Sequence, residues 1–143
     1  MGARKKSTRR PDETTSRSAG GGSATAAGMA FQAEVAAAYA LAVLAEEPAN
    51  IRLDLPAGAI FNSVRCESGM ETDDVLVGHS LDGSVFVQAK RHVDASEAAT
   101  SDFGQGIRQL TRQFRLGTDE IGKPYKPFDP VVDRLVFAVG QSS

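Results

Sequence analysis

Two short apolar runs, Val75-Leu76-Val77 and Val85-Phe86-Val87, flank the tripeptide Leu81-Asp82-Gly83. β-Branched and aromatic residues on either side of an Asp-Gly pair are the strongest local signal for an antiparallel hairpin. That hairpin constrains the chain more than any other feature, because alternate strand residues share a face. Gln88 and Lys90 therefore point one way, and Val87 and Ala89 the other. A glutamine and a lysine facing inward among Val, Phe and Ala are costly unless polar groups meet them. Asp73 and Asp74, at the start of the preceding strand, lie within reach of Lys90 across the hairpin.

The turn decides which aspartate. With Asp82-Gly83 as a two-residue turn, Leu81 faces Ser84, Lys90 faces Val75, and Asp73 shares the side of Lys90. A three-residue loop shifts the pairing by one and brings Asp74 there instead.

The remaining pattern supplies elements around the hairpin. An Ala- and Leu-rich segment predicts a helix over 28–47, ending before Pro48. A strand is expected over 59–65 after the Pro56-Ala57-Gly58 turn, and the hairpin strands over 74–79 and 84–91. A second helix is expected over 101–116, where Phe103, Ile107, Leu110 and Phe114 recur on one face and predict its buried stripe. A Pro-rich loop then leads to a strand over 134–139. The order helix, three strands, helix, strand defines an α/β domain: a central mixed four-stranded sheet flanked by helices. With no helix after the final strand to cover it, residues 28–143 are expected to be the N-terminal part of a longer protein.

Composition excludes several functions. Residues 1–27 carry almost no large apolar side chain and are expected to form a disordered basic tail. Residues 1–30 hold six Lys or Arg against two acids, a charge of +4, leaving −6 for the rest of a chain whose total is −2. An acidic body suits a carboxylate site that recruits cations. Trp is absent and aromatics make up 6%, so no base-stacking platform is advertised. The lone Cys66 excludes an internal disulfide or multi-cysteine zinc site, and reads as a small core residue of a reducing compartment. His79 and His92 are too few for zinc. No phosphate loop, Gly-x-Ser-x-Gly or dinucleotide motif is present. Gln32, Glu34 and Tyr39 interrupt the Ala-rich run that follows the basic segment, so it lacks the core of an export signal. No membrane association is expected, and the location is expected to be cytoplasmic.

Around Lys90 the residue types suit phosphodiester hydrolysis. A carboxylate, the Gln88 carbonyl oxygen and the Ala89 backbone carbonyl are hard ligands for Mg²⁺. The ion polarises phosphoryl oxygens and acidifies its water, while Lys90 orients that water and offsets transition-state charge. Glu34, on the first helix, shares a mostly apolar stripe with Phe31, Ala38 and Leu41. A carboxylate there calls for a partner, which a metal-bound water or Lys90 would provide; the plainer role is a first-turn acid facing solvent.

Glu34 on the first helix, Asp73-Asp74-Val-Leu-Val at the start of a strand and Gln88-Ala89-Lys90 on the next together resemble the PD-(D/E)xK nuclease superfamily. The element order is similar to its restriction-endonuclease-like αβββαβ core, over 28–140. The Asp-Asp-Val and Gln-x-Lys pairing looks most like the effector nucleases at the N-termini of bacterial antiphage proteins, which a sensor or NTPase module follows. The resemblance implies an endonuclease acting on double-stranded DNA with Mg²⁺, or Mn²⁺ in its place. It assigns catalysis to Glu34, Asp74, Gln88 and Lys90, and the metal to Glu34, Asp74, Gln88 and Ala89, with Asp73 in reserve. Gln88 departs from the commoner carboxylate and leaves more to Glu34. One site per chain implies a homo-oligomer when both strands are cut. Arg108, Arg112 and Arg115 form a stripe able to contact DNA phosphates, although a solvated helix face is the more frequent meaning of such a stripe. The competing class is a non-catalytic nuclease-like module for DNA binding or assembly; an RNA-cutting enzyme is a third.

Overall fold

The hairpin closes through the three residues 80–82, because His79 at the end of β2 (Val75–His79) pairs with Gly83 at the start of β3 (Gly83–Lys90). Asp82 takes the left-handed conformation, φ 58°, as the last residue of such a loop does. Gly83 is already strand, and a Cβ on it would fall 2.2 Å from the Val132 carbonyl oxygen and 2.3 Å from the His79 ring. The two-residue turn is therefore not used, and the three-residue loop lies one residue earlier than the pairing that would set Asp74 opposite Lys90, so that the register places Asp74 opposite Gln88. Buried His79 ties the loop down: its Nε2 donates to the Val132 carbonyl at 2.7 Å and its Nδ1 accepts from the Leu81 N–H at 3.3 Å. Buried Asp133 does the same for β3, accepting from the Ser84 N–H at 2.8 Å and the Asp129 N–H at 2.8 Å.

The computed structural model describes residues 21–66, 74–93, 100–118 and 125–140. Their elements run α1 (Gly21–Leu44), α2 (Asn50–Leu53), β1 (Phe61–Cys66), β2, β3, α3 (Asp102–Leu116) and β4 (Arg134–Val139). The sheet order is β1-β2-β3-β4. β1 and β2 pair antiparallel, with an irregularity between Phe61 and Ser63, and β4 runs parallel to β3. The chain is thus mixed α/β, with a four-stranded mixed sheet flanked by helices.

Alternation sorts the two faces. Val64, Val75, Val77, Val85, Val87, Val136 and Ala138 form one core with Val35, Ala36, Tyr39, Ala42 and Val43 of α1. The other face carries two cross-strand pairs, Leu76 with Phe86 and Gln88 with Phe137. α3 lies over this face, starting at an N-cap where the Ser101 hydroxyl accepts from the Gly104 N–H at 3.0 Å. Arg134 links the layers, its Nε donating to the Leu53 carbonyl at 2.8 Å.

Three expectations change. α1 begins at Gly21, so 21–27 continue the helix instead of a disordered tail; Ala24, Ala26 and Ala27 are strong helix formers that outweigh the glycines. Residues 1–20 lie outside the described residues. The buried stripe of α3 is Gly106, Leu110 and Gln113, whereas Phe103, Ile107 and Phe114 are 39%, 42% and 52% exposed. Gly106 is the cause. It lets the helix approach until a Cβ there would lie 2.6 Å from the Phe137 ring. Phe103 and Phe114 then flank the contact line and meet Phe137 and Phe128 at 5.9 and 5.1 Å between ring centroids. Cys66 is exposed at the end of β1, outside the core.

By length and composition, Ala26–Leu44 is apolar enough to cross a membrane. In this fold its inner stripe packs on the sheet, while Met29, Leu41 and Leu44 are exposed.

Two stability outcomes follow. Gly83→Ala is expected to cost about 1–3 kcal/mol or more, because the obstruction is backbone; an unchanged urea midpoint would contradict this packing. Burial raises the Tyr39 phenol above its ordinary 10.0, with Arg52 pulling it back. The neutral form is favoured by folding, so this contribution is complete below pH 10.0 and is lost as pH rises through the higher folded value. Urea unfolding between about pH 9 and 11 should show wild-type stability falling more steeply than that of Tyr39→Phe.

Candidate functional site

Hairpin parity brings the polar residues together. With Val75 paired to Val87, Asp74 stands opposite Gln88, one step beyond the last ladder pair, and both side chains lie on the α3 face. Asp74 Oδ2 accepts two hydrogen bonds, one from Gln88 Nε2 and one from the Ala89 N–H at 2.7 Å. From the other side of the sheet, Gln32 of α1 donates its Nε2 to the Asp74 carbonyl oxygen at 2.8 Å. The same residue is held twice, by its carboxylate and by its backbone.

The direction of the Ala89 carbonyl follows from the ladder. Gly140 donates to the Lys90 carbonyl at 3.0 Å, so the backbone groups of Lys90 point toward β4. Those of the preceding residue point the opposite way, because each strand residue projects its N–H and C=O to one side. The Ala89 carbonyl therefore faces the Asp74 side. Lys90 is partly buried, shares the face of Gln88, and forms no ion pair among the described residues.

Gln88 is 1% exposed, and its Oε1 is buried without a hydrogen-bond partner among the described residues. An orphaned buried acceptor costs roughly 1–3 kcal/mol. A donor or a cation brought from outside would relieve it. The amide of Gln109 on α3 has a second such oxygen.

The four side chains expected to share a pocket do not all do so. Glu34 is exposed and sits on the side of α1 turned from the sheet, about 200° round the helix from Ala36, which packs on the core. Sequence reasoning took Glu34 as the polar residue of the inward stripe; that residue is Gln32, which shares a side with Val35, Ala36 and Tyr39 at i+3, i+4 and i+7. This spacing was the available signal. Asp73 lies outside the described residues. Arg108, Arg112 and Arg115 are exposed on the side of α3 opposite Gly106 and Leu110, and are not gathered with Asp74. Asp133 and Gln113, both buried, were also missed. Asp133 accepts from backbone N–H groups, and Gln113 Nε2 donates to the Gly117 carbonyl at 2.5 Å.

The donors around Asp74 are one carboxylate, one orphaned amide oxygen and one backbone carbonyl. All are hard oxygens. Among the described residues no group of three or more His, Cys, Asp or Glu could hold a metal. Mg²⁺ commonly keeps several waters and binds through one or two carboxylates plus substrate phosphates. The described residues fit that mode and do not by themselves form an all-protein cage.

No protein-family description, curated protein or solved structure matches the chain.

Asp74→Ala strands the Gln88 amide and the Ala89 N–H and is expected to destabilise by roughly 1–3 kcal/mol. In a urea-unfolding cycle with Gln88→Met, a coupling of about 0.5–3 kcal/mol is expected. Strict additivity would mean that the two side chains do not depend on each other.

Proposed function

We propose that this domain is a metal-dependent endonuclease of the restriction-endonuclease-like, PD-(D/E)xK type, hydrolysing phosphodiester bonds of double-stranded DNA. The observation that carries the reading is Asp74, fastened to Gln88 and Ala89, beside an orphaned amide oxygen and with Lys90 on the same face. Asp74, Gln88 Oε1 and the Ala89 carbonyl would hold Mg²⁺ or Mn²⁺. When bound, the ion polarises the phosphoryl oxygens and acidifies a water. Lys90 orients the attacking water and stabilises charge that develops on the phosphate. Gln32 keeps the Asp74 backbone in place from α1. Glu34 has no part in this set, whose one carboxylate among the described residues is Asp74. The resemblance to antiphage effector nucleases extends the reading to defence, with the domain acting as an oligomer within a longer protein.

A second reading, a nuclease-like module that binds DNA without cutting it, is favoured by one observation. Asp74 Oδ2 is already engaged by two donors, and among the described residues no group of three or more His, Cys, Asp or Glu could hold a metal.

Incubation with supercoiled plasmid and Mg²⁺ or Mn²⁺ separates the two. The nuclease reading expects nicked and linear products. Lys90→Ala should slow cutting by roughly 10²–10³-fold, and Glu34→Ala should leave it unchanged. Persistent cutting by Lys90→Ala would remove the proposed site, and retention of DNA without strand breaks would select the second reading.

A further inference from the structure

The sheet face that carries Asp74 and Gln88 is covered unevenly. α3 lies over the β3–β4 half, where Gly106 meets Phe137. Beside it, over β1 and β2, runs a groove of about 470 Å³. Two cross-strand rows make its floor: Ser63, Gly78 and Ser84, then Arg65 and Leu76. The Gly78 position keeps the floor low, since a Cβ there would fall 2.4 Å from the Ser63 hydroxyl. Tyr125 and Lys126 form the wall, held by the bridge between Thr118 and Lys126. Asp74 lies two residues beyond Leu76 on the same face, roughly 7 Å further along β2. Groove and candidate site lie on the same face of the sheet.

The lining has the chemistry of a single nucleic-acid strand. Tyr125 is 61% exposed and offers a flat ring. Among the described residues that line it, Arg65 and Lys126 are cationic and Asp82 carries the one carboxylate. Lys126 donates from its ammonium to the Asp82 carbonyl, which fixes it at the rim with further donors available. A cationic groove with an aromatic platform is how proteins hold unpaired strands. Its volume is that of a site for one small molecule, which suits a nucleotide unit and not a duplex.

We propose that the groove holds an unpaired nucleotide flanking the cut site, with its base on Tyr125 and its phosphates at Arg65 and Lys126. The domain would then prefer DNA with a melted stretch beside the scissile bond. The word "cut" rests on the nuclease reading; the binding does not.

Fluorescence anisotropy with a labelled oligothymidine in EDTA reads the groove without cleavage. The single strand is expected to bind more tightly than a blunt duplex of equal length. Tyr125→Ala should weaken it about 5- to 150-fold, and Lys126→Gln should reduce the salt slope by about one. Because Tyr125 is exposed, its variant is expected to fold, and circular dichroism checks that. Equal binding by Tyr125→Ala, or a duplex held as tightly as the strand, overturns the proposal. So does thymidine monophosphate that displaces the strand mole for mole, which would assign the groove to a free nucleotide. Strand binding with no plasmid cutting in Mg²⁺ would defeat the nuclease reading and support the groove.

Discussion

The three-residue loop that closes the hairpin decides which half of each strand faces which layer. Side chains alternate with a period of two, so a loop one residue longer or shorter would exchange the faces of β2. Val75 and Val77 would leave the core they form with α1, and Asp74 would turn away from Gln88. The loop is held accordingly. Asp82 absorbs the reversal in the left-handed region, and His79 and Asp133 bind the hairpin to the segment before β4. These buried polar side chains are fully engaged with backbone groups, which makes them structural.

Asp74 is held both from the α1 layer and from within the sheet. α1 grips its carbonyl through Gln32, and β3 grips its carboxylate through Gln88 and Ala89. Charge-assisted bonds to a partly buried carboxylate are stronger than neutral ones. The amide at position 88 has a physical reason in this setting. A glutamate there would place two carboxylates within hydrogen-bond distance and force them to share a proton. Gln88 supplies a donor to Asp74 and keeps an oxygen acceptor on the other arm of the same amide.

Much of the architecture was legible in the sequence. The strand over 134–139 coincides with β4, the hairpin and α3 lie where periodicity and turn residues put them, and α1 shares 28–44 with its expected span but starts at Gly21 and stops at Leu44, short of residue 47. The grouping of Asp74, Gln88 and Lys90 on one face follows from alternation and loop length. What escaped depends on contacts that a one-dimensional pattern does not contain. Phe103, Ile107 and Phe114 have the spacing of a buried stripe, yet a glycine at 106 moved the helix contact line off them. Glu34 has the chemistry of a ligand, yet Gln32, two positions earlier, stands on the packed side of α1. Cys66 was assigned to the core by residue type and stands exposed at the end of β1.

The most direct test of a cation held by Asp74 is a titration of the domain with Mn²⁺, followed by the free-ion signal in electron paramagnetic resonance. If Asp74, Gln88 and Ala89 form the site, each chain takes up about one ion, and Asp74→Asn weakens uptake at least about tenfold. Uptake that is absent in the wild type, or equal in the two proteins, would contradict it.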